Sequence, residues 1–272
     1  MNTIKKIINH PLLKHSTIVL MGSMAANIAG WLYHLFVGRI LGTEAYGELA
    51  ALLALFYILN VPSTVIQTVL VKFFSILKAK NEHGQARFLI RVATIKILLL
   101  EGVGMVFIFF FSQAVAAFLH IASPWYIVWL YVIFATFMVG IVNGSAIQGF
   151  QLFTASSVLV TIGMTLRLIL GALFAYFGVG WTLVSNIFSN SIAYGLSFIP
   201  LRFFTHIQEK PITINRKEAL GFSVPALVTT LGITLLFSQD VLLVKHYFTA
   251  YEAGIYASLS VLGKVLFYAT GA

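Results

Sequence analysis

The chain has 272 residues, 60% of them hydrophobic and only 9% charged, and a net charge of +9. Soluble domains carry roughly a quarter charged residues, so this composition excludes a water-solvated surface and makes the bilayer the solvent. The basic residues form no dense patch with interleaved aromatics, which excludes a nucleic-acid partner, and the absence of cysteine excludes disulfide, thiolate and Cys-based metal chemistry.

A helix needs about 20 apolar residues to cross a bilayer core. Eight segments meet that length, at about 16–38, 48–77, 87–118, 125–148, 153–177, 181–204, 217–245 and 252–272. The first follows a basic start and is too long for the core of a cleaved signal peptide. Within it Gly22, Ala26 and Gly30 form a small-residue stripe that permits close helix packing, with Asn27 beside it as an interhelical hydrogen-bonding group. Pro62 in the second segment and Pro225 in the seventh remove backbone hydrogen bonds, so both are candidate kinks. Turn residues separate the segments, as in "LGTEAYG", "AKNEHGQ" and "ASP". The apolar runs are too long for barrel strands and do not alternate. The expected fold is all-α, a polytopic bundle of about eight transmembrane helices.

Lys and Arg set the orientation. They gather at the N-terminus (Lys5, Lys6, Lys14), around the loop after the second segment (Lys72, Lys78, Lys80, Arg87, Arg91) and after the sixth (Arg202, Lys210, Arg216, Lys217). The loops after the third and fifth segments have none, and Arg39 in the first loop stands against Glu44 and Glu48. This alternation places the N-terminus in the cytoplasm. The longest polar stretch, "THIQEKPITINRK", divides a first six-helix lobe (1–206) from a linker and the first two helices of an incomplete second lobe (207–272).

That division explains an internal echo between "YHLFVGRILGTEAYGELAALLAL" (33–55) and "DVLLVKHYFTAYEAGIYASLSVLGK" (240–264). Without a gap, Val37 pairs with Val244, Gly47 with Gly254, Ala50 with Ala257 and Leu52 with Leu259. The seventh segment is then the repeat mate of the first and the eighth of the second, in parallel rather than inverted order. A complete second unit would run well past Ala272, so the sequence reads as an amino-terminal portion of a longer protein.

"PSTVIQTVLVKFFSILKAKNEHGQ" (62–85) and "NGSAIQGFQLFTASSVLVTIGMTLRLILGALFAYFGVGWTLVSN" (143–186) resemble the Wzx-like polysaccharide-biosynthesis flippases. So does the stretch with Asp240, Lys245, Ala253-Gly254, Tyr256 and Gly263-Lys264. These flippases are members of the multidrug/oligosaccharidyl-lipid/polysaccharide exporter (MOP) superfamily. The resemblance implies two six-helix lobes in a V around a central cavity. It implies multi-pass residence in the plasma (inner) membrane. The implied activity is movement of a polyprenyl-diphosphate-linked oligosaccharide from the cytoplasmic to the outer leaflet by alternating access, with a proton or sodium as coupling cation. The alternatives are a cation-coupled multidrug antiporter of the same superfamily and a non-functional fragment.

Ionisable side chains at membrane depth are costly and mark protein-facing or wet positions. Arg167, near the middle of the fifth segment, is a candidate for the substrate diphosphate, which a guanidinium matches bidentately. Its other reading is a cation that snorkels or ties helices together. Lys264 and Lys96 are further candidate substrate cations, Lys96 alternatively reaching the headgroups. Glu101 is a candidate ion-coupling site, or a carboxyl held protonated by burial or neutralised by Arg167. Asp240 is a second ion-coupling candidate, and with Arg39 on the repeat-mate helix it makes a candidate gate pair or an interface anchor. No H-E-x-x-H, P-loop or G-x-S-x-G occurs, and the acids form no close loop pair apart from Glu44 and Glu48. Neither a cofactor nor an enzymatic activity, such as a membrane glycosyltransferase or acyltransferase, is expected.

Overall fold

Among the described residues nine α-helices run in the order α1 (Pro11–Leu41), α2 (Thr43–Leu59), α3 (Val61–Ala79), α4 (His83–Phe118), α5 (Pro124–Gly149), α6 (Phe153–Ala175), α7 (Val179–Leu201), α8 (Arg216–Tyr247) and α9 (Ala250–Thr270), with a 3-10 turn at Arg202–His206. The computed structural model describes residues 11–212 and 216–270, and side chains over 17–204, 206–212, 221 and 223–263; among these there is no strand. The all-α polytopic architecture is the one composition dictates.

Among the described residues six helices are long and apolar enough to cross a membrane: Thr17–Leu41, Val61–Ala79, His83–Phe118, Pro124–Gly149, Phe153–Ala175 and Ser223–Tyr247. Three details differ from the eight expected spans. The second segment is not one rod but breaks at Asn60, just before Pro62, which has no N–H to continue the ladder. The Asn60 N–H still reaches the Phe56 carbonyl at 2.8 Å and the Ser63 N–H reaches the Asn60 carbonyl at 3.1 Å, so the break is a kink rather than a loop. The sixth segment, α7, falls short of span apolarity because of its polar residues, yet Thr182, Ser185, Asn186 and Ser189 are all buried. Their side chains bond back to carbonyls of the same helix, Thr182 to Gly178 at 3.0 Å, Ser185 to Thr182 at 2.7 Å and Ser189 to Ser185 at 2.9 Å. A polar stripe satisfied in this way can sit inside a bundle. For α9, the side chains beyond Gly263 lie outside the described residues.

α5 sits at the centre, packed by α3, α4 and α7, while α1 lies along α6. One core cluster joins Leu70 and Phe74 of α3 to Met138, Val142 and Ile147 of α5. The other joins Tyr33 and Val37 of α1 and Leu49 and Leu52 of α2 to Leu130 of α5 and Leu183 of α7. α4, with 36 residues, is roughly 54 Å long at 1.5 Å per residue. It presents Leu98–Leu100, Val103, Phe107 and Phe109–Phe111 outward, a face suited to acyl chains.

The bundle ends differ. At the basic end, the segment after α7 is strapped to the start of α4. Arg87 donates to the Ile207 carbonyl at 2.6 Å, Glu209 bridges Arg87 at 3.5 Å and Arg91 at 2.9 Å, and the Lys210 N–H reaches the Gly84 carbonyl at 3.1 Å. At the opposite end α9 starts with a capping box. The Thr249 N–H donates to Glu252 Oε2 at 3.0 Å and the Glu252 N–H donates to Thr249 Oγ1 at 3.3 Å. There α2 and α9 cross so closely that a Cβ on Gly47 would lie 2.8 Å from the Gly254 Cα, and one on Gly254 would overlap the Thr43 carbonyl. The sequence repeat pairs these same two glycines.

Two outcomes follow from this packing. Gly254→Val should lower the detergent melting temperature by several degrees, an overpacking cost of about 1–3 kcal/mol, while Gly263→Val, with open space around it, should not. Glu209→Ala should raise tryptic cleavage at Arg202, at the start of the strapped segment, a few-fold, since exposed ion pairs contribute roughly 0.2–1 kcal/mol; gel electrophoresis of limited digests checks it.

Candidate functional site

A cavity of about 820 Å³ lies between α1, α2, α3, α6, α8 and α9. On α1 the wall is centred on a helical stripe, Leu20, Met24, Asn27, Trp31 and His34, spaced three or four residues apart and flanked by Ala26, Ile28 and Gly30. The opposite stripe of α1, with Ala29, Tyr33 and Val37, is buried. The kink between α2 and α3 brings in Tyr57, Asn60 and Thr64, and α8 and α9 add Thr230, Thr234, Ser238 and Ser260. Asn27 is exposed on this wall rather than serving as the interhelical bond the small-residue stripe suggested. The close α1–α6 approach comes instead from Gly22, where a Cβ would lie 2.7 Å from that of Ser157, and from the Thr161 hydroxyl, which donates to the Gly22 carbonyl at 3.3 Å.

α6 contributes Arg167, half-buried on the cavity wall. Its guanidinium carbon sits 4.6 Å above the centre of the Tyr33 ring, a cation–π arrangement. Its Nε is buried and has no hydrogen-bond partner among the described residues. Tyr33 is itself fixed, being 1% exposed and accepting a 3.2 Å hydrogen bond from Asn186 Nδ2 on α7. His34 meets the same ring edge-on at 5.3 Å, and its Nδ1 lies 3.1 Å from the Tyr46 hydroxyl on α2. Among the described lining residues, Arg167 and His34 are the groups with a cationic form, and none is Asp, Glu or Lys.

The other expected site residues are scattered. Lys96 is exposed on α4, which contributes no described residue to the cavity wall. Glu101, 5% exposed on the same helix, faces α5, where the Tyr131 hydroxyl donates to the Glu101 backbone carbonyl at 3.3 Å. No ion pair joins Glu101 to Arg167 among the described residues, because α4 packs on α5 and α3 while Arg167 projects from α6. Asp240 turns to the neighbouring α9, its Oδ2 accepting from Tyr256 at 3.0 Å and from the Ser260 hydroxyl at 3.3 Å. Arg39 is exposed at the end of α1 and makes no ion pair with Asp240 among the described residues. The two are therefore not brought together as a gate pair. Lys264 lies in α9 with its side chain outside the described residues.

Sequence reading passed over His34, although the α1 stripe at helical spacing carried the signal. It also passed over His246, whose Nδ1 lies 2.6 Å from the Phe118 carbonyl and whose ring stacks on Phe118 at 4.1 Å. That contact ties the end of α8 to the end of α4.

Long apolar helices around a mostly apolar interior cavity that carries a few polar groups define a multi-pass membrane protein. The chain belongs to the polysaccharide biosynthesis protein family, whose model matches residues 12–266. Two solved proteins share its fold. One, described as protein A, aligns with a TM-score of 0.67 and 15% identity over 90% of this chain and 60% of its own. The other is a MOP superfamily transporter from Pyrococcus furiosus, with a TM-score of 0.54 and 13% identity over 92% of this chain and 62% of its own; the reverse polarity of that transporter's binding pocket suggests a different function for it. The chain thus spans about three-fifths of the solved proteins it resembles. No curated protein sequence matches it.

The chain has no native cysteine, so single-Cys labelling tests whether the cavity is wet. Asn27→Cys should react with a small charged methanethiosulfonate about tenfold faster than Val37→Cys at the buried side of the same helix, because thiol reaction requires access and ionisation.

Proposed function

We propose that this chain forms the substrate-holding part of a flippase, moving a polyprenyl-diphosphate-linked oligosaccharide from the cytoplasmic to the outer leaflet of the plasma membrane by alternating access. The observation that carries this reading is the charge of the cavity wall, which offers Arg167 and His34 and, among the described residues, no carboxylate. A cationic drug would need the reverse polarity, whereas a diphosphate gains charge-assisted bonds from a guanidinium in a low-dielectric site. The amides and hydroxyls of Asn27, Asn60, Thr64, Thr230 and Thr234 suit sugar hydroxyls. The apolar, outward part of α1 around Val19–Met21 suits a polyprenyl tail. Nothing in this chemistry calls for an enzymatic step.

In this reading α1–α7 make the first six-helix lobe, with α2 and α3 as one kinked span, and α8 and α9 begin the second, with the N-terminus in the cytoplasm. The kink at Asn60 and the proline within α8, Pro225, are the hinges. A coupling cation, proton or sodium, has its best oxygen ligands at Asp240 with Tyr256 and Ser260, beside a groove of about 360 Å³.

Arg167→Ala should cut translocation of a fluorescent polyprenyl-diphosphate oligosaccharide in reconstituted vesicles by about tenfold or more, as loss of a charged contact of roughly 1.5–3 kcal/mol implies, with membrane insertion unchanged. Undiminished flux removes Arg167 from the role. Efflux of organic cations in place of the lipid overturns the flippase reading in favour of a drug antiporter.

A further inference from the structure

We infer that Trp31 and Tyr57 form a stacking platform for the pyranose next to the diphosphate, so that the cavity recognises the carbohydrate as well as the charge. The inference rests on the flippase reading above and names the part of the substrate that these two walls hold. On α1, Trp31 lines the cavity with Asn27 one turn before it. On α2, Tyr57 lines it with Asn60 three residues on, at the kink, where the backbone is still helical. Residues three or four apart are neighbours on a helix surface, so each wall offers an aromatic ring with a carboxamide beside it. A pyranose is the complement of that pair. Its hydroxyls radiate from the rim of the ring, where an amide both donates and accepts, and its C–H groups gather on the faces. Those hydrogens carry partial positive charge and meet the negative face of an aromatic ring.

Neither ring belongs to the core. Trp31 is 39% exposed and Tyr57 45%, whereas Tyr33, two residues from Trp31, is 1% exposed. Trp31 stands near the middle of the span Thr17–Leu41, away from the interfaces where membrane tryptophans gather and wet their N–H. Its indole N–H has no hydrogen-bond partner among the described residues. An N–H at that depth needs an acceptor, and the cavity is where one can arrive. The amides are open too. Asn27 is exposed and bonded by no described residue, and Asn60 accepts from the Ser63 hydroxyl through Oδ1 while keeping its Nδ2 donors. Arg167 lies on the α6 wall of the same cavity, whose volume of about 820 Å³ is in the range that engulfs a drug-sized ligand. One substrate can therefore reach the guanidinium with its diphosphate and the rings with its first sugar.

The test compares two probes on the full chain in nanodiscs: farnesyl diphosphate, and the same lipid carrying one N-acetylglucosamine on its diphosphate. The wild type should bind the sugar-bearing probe about tenfold tighter, the scale of one or two good ring contacts. In Trp31→Ala and in Tyr57→Ala that gap should shrink about threefold or more while farnesyl diphosphate binds as before. Trp31→Phe, which keeps a ring, should retain a larger gap than Trp31→Ala, and Arg167→Gln should weaken both probes alike. Tryptophan emission should shift when the sugar-bearing probe binds the wild type, and the shift should vanish in Trp31→Phe. Equal wild-type affinity for the two probes, or a gap unchanged in both alanine variants, overturns the platform and leaves the anion site standing. A loss shared equally by both probes in those variants assigns the rings to the isoprenoid chain and overturns the platform as well. Absence of binding by either probe, or binding undiminished in Arg167→Gln, overturns the flippase reading itself.

Discussion

A permanent positive charge at membrane depth must be held by something other than water, and the rest of the site follows from how this chain holds one. Arg167 is placed over the face of Tyr33, and Tyr33 is fixed by Asn186. This chain of contacts spans α6, α1 and α7, so the cation is seated by the core itself. A ring quadrupole lowers the cost of the charge without cancelling it. The guanidinium keeps unspent hydrogen-bonding capacity, seen in its Nε, which has no partner among the described residues. A carboxylate partner would have made Arg167 a structural tie, whereas an aromatic one leaves it available to an anion.

The same logic separates the ionisable residues that face the cavity from those that do not. Asp240 is engaged by hydroxyls of α9 and Glu101 lies against α5. Both acids are thereby removed from the wall, and the cavity stays electropositive without any excess of basic residues. The polar stripe of α7 works in a similar way. Its hydroxyls satisfy themselves on their own helix and leave Asn186 with an amide to spare for Tyr33.

Much of the fold was legible because bilayer crossing demands long apolar runs, which composition and length expose directly. The boundaries of α4 through α6 and the placing of Arg167 on a mid-helix position belong to this legible part. The kink at Asn60 was signalled by Pro62, but a proline does not say whether a helix bends or breaks. Which face of a helix meets water and which meets lipid was harder to read, since both faces of α1 are apolar apart from a few residues. His34 and Asn27 were visible as letters on one stripe, but only the neighbouring helices make that stripe a cavity wall. Arg39 and Asp240, near the ends of related helices, form no ion pair among the described residues for a related reason. Repeat symmetry predicts that two residues occupy related positions; it does not predict that their side chains turn toward each other.

At Gly47 and Gly254, which the sequence echo aligns with each other, the two helices approach almost backbone to backbone, with the Thr43 side chain beside them. Interlocked side chains must be withdrawn from one another before helices can change their angle, and that withdrawal leaves voids. Two glycine surfaces have nothing to withdraw. Under the alternating-access reading proposed above, this crossing would be the bearing on which α9 turns against α2. A swing about a point near one face of the membrane is magnified at the other by the length of the helices.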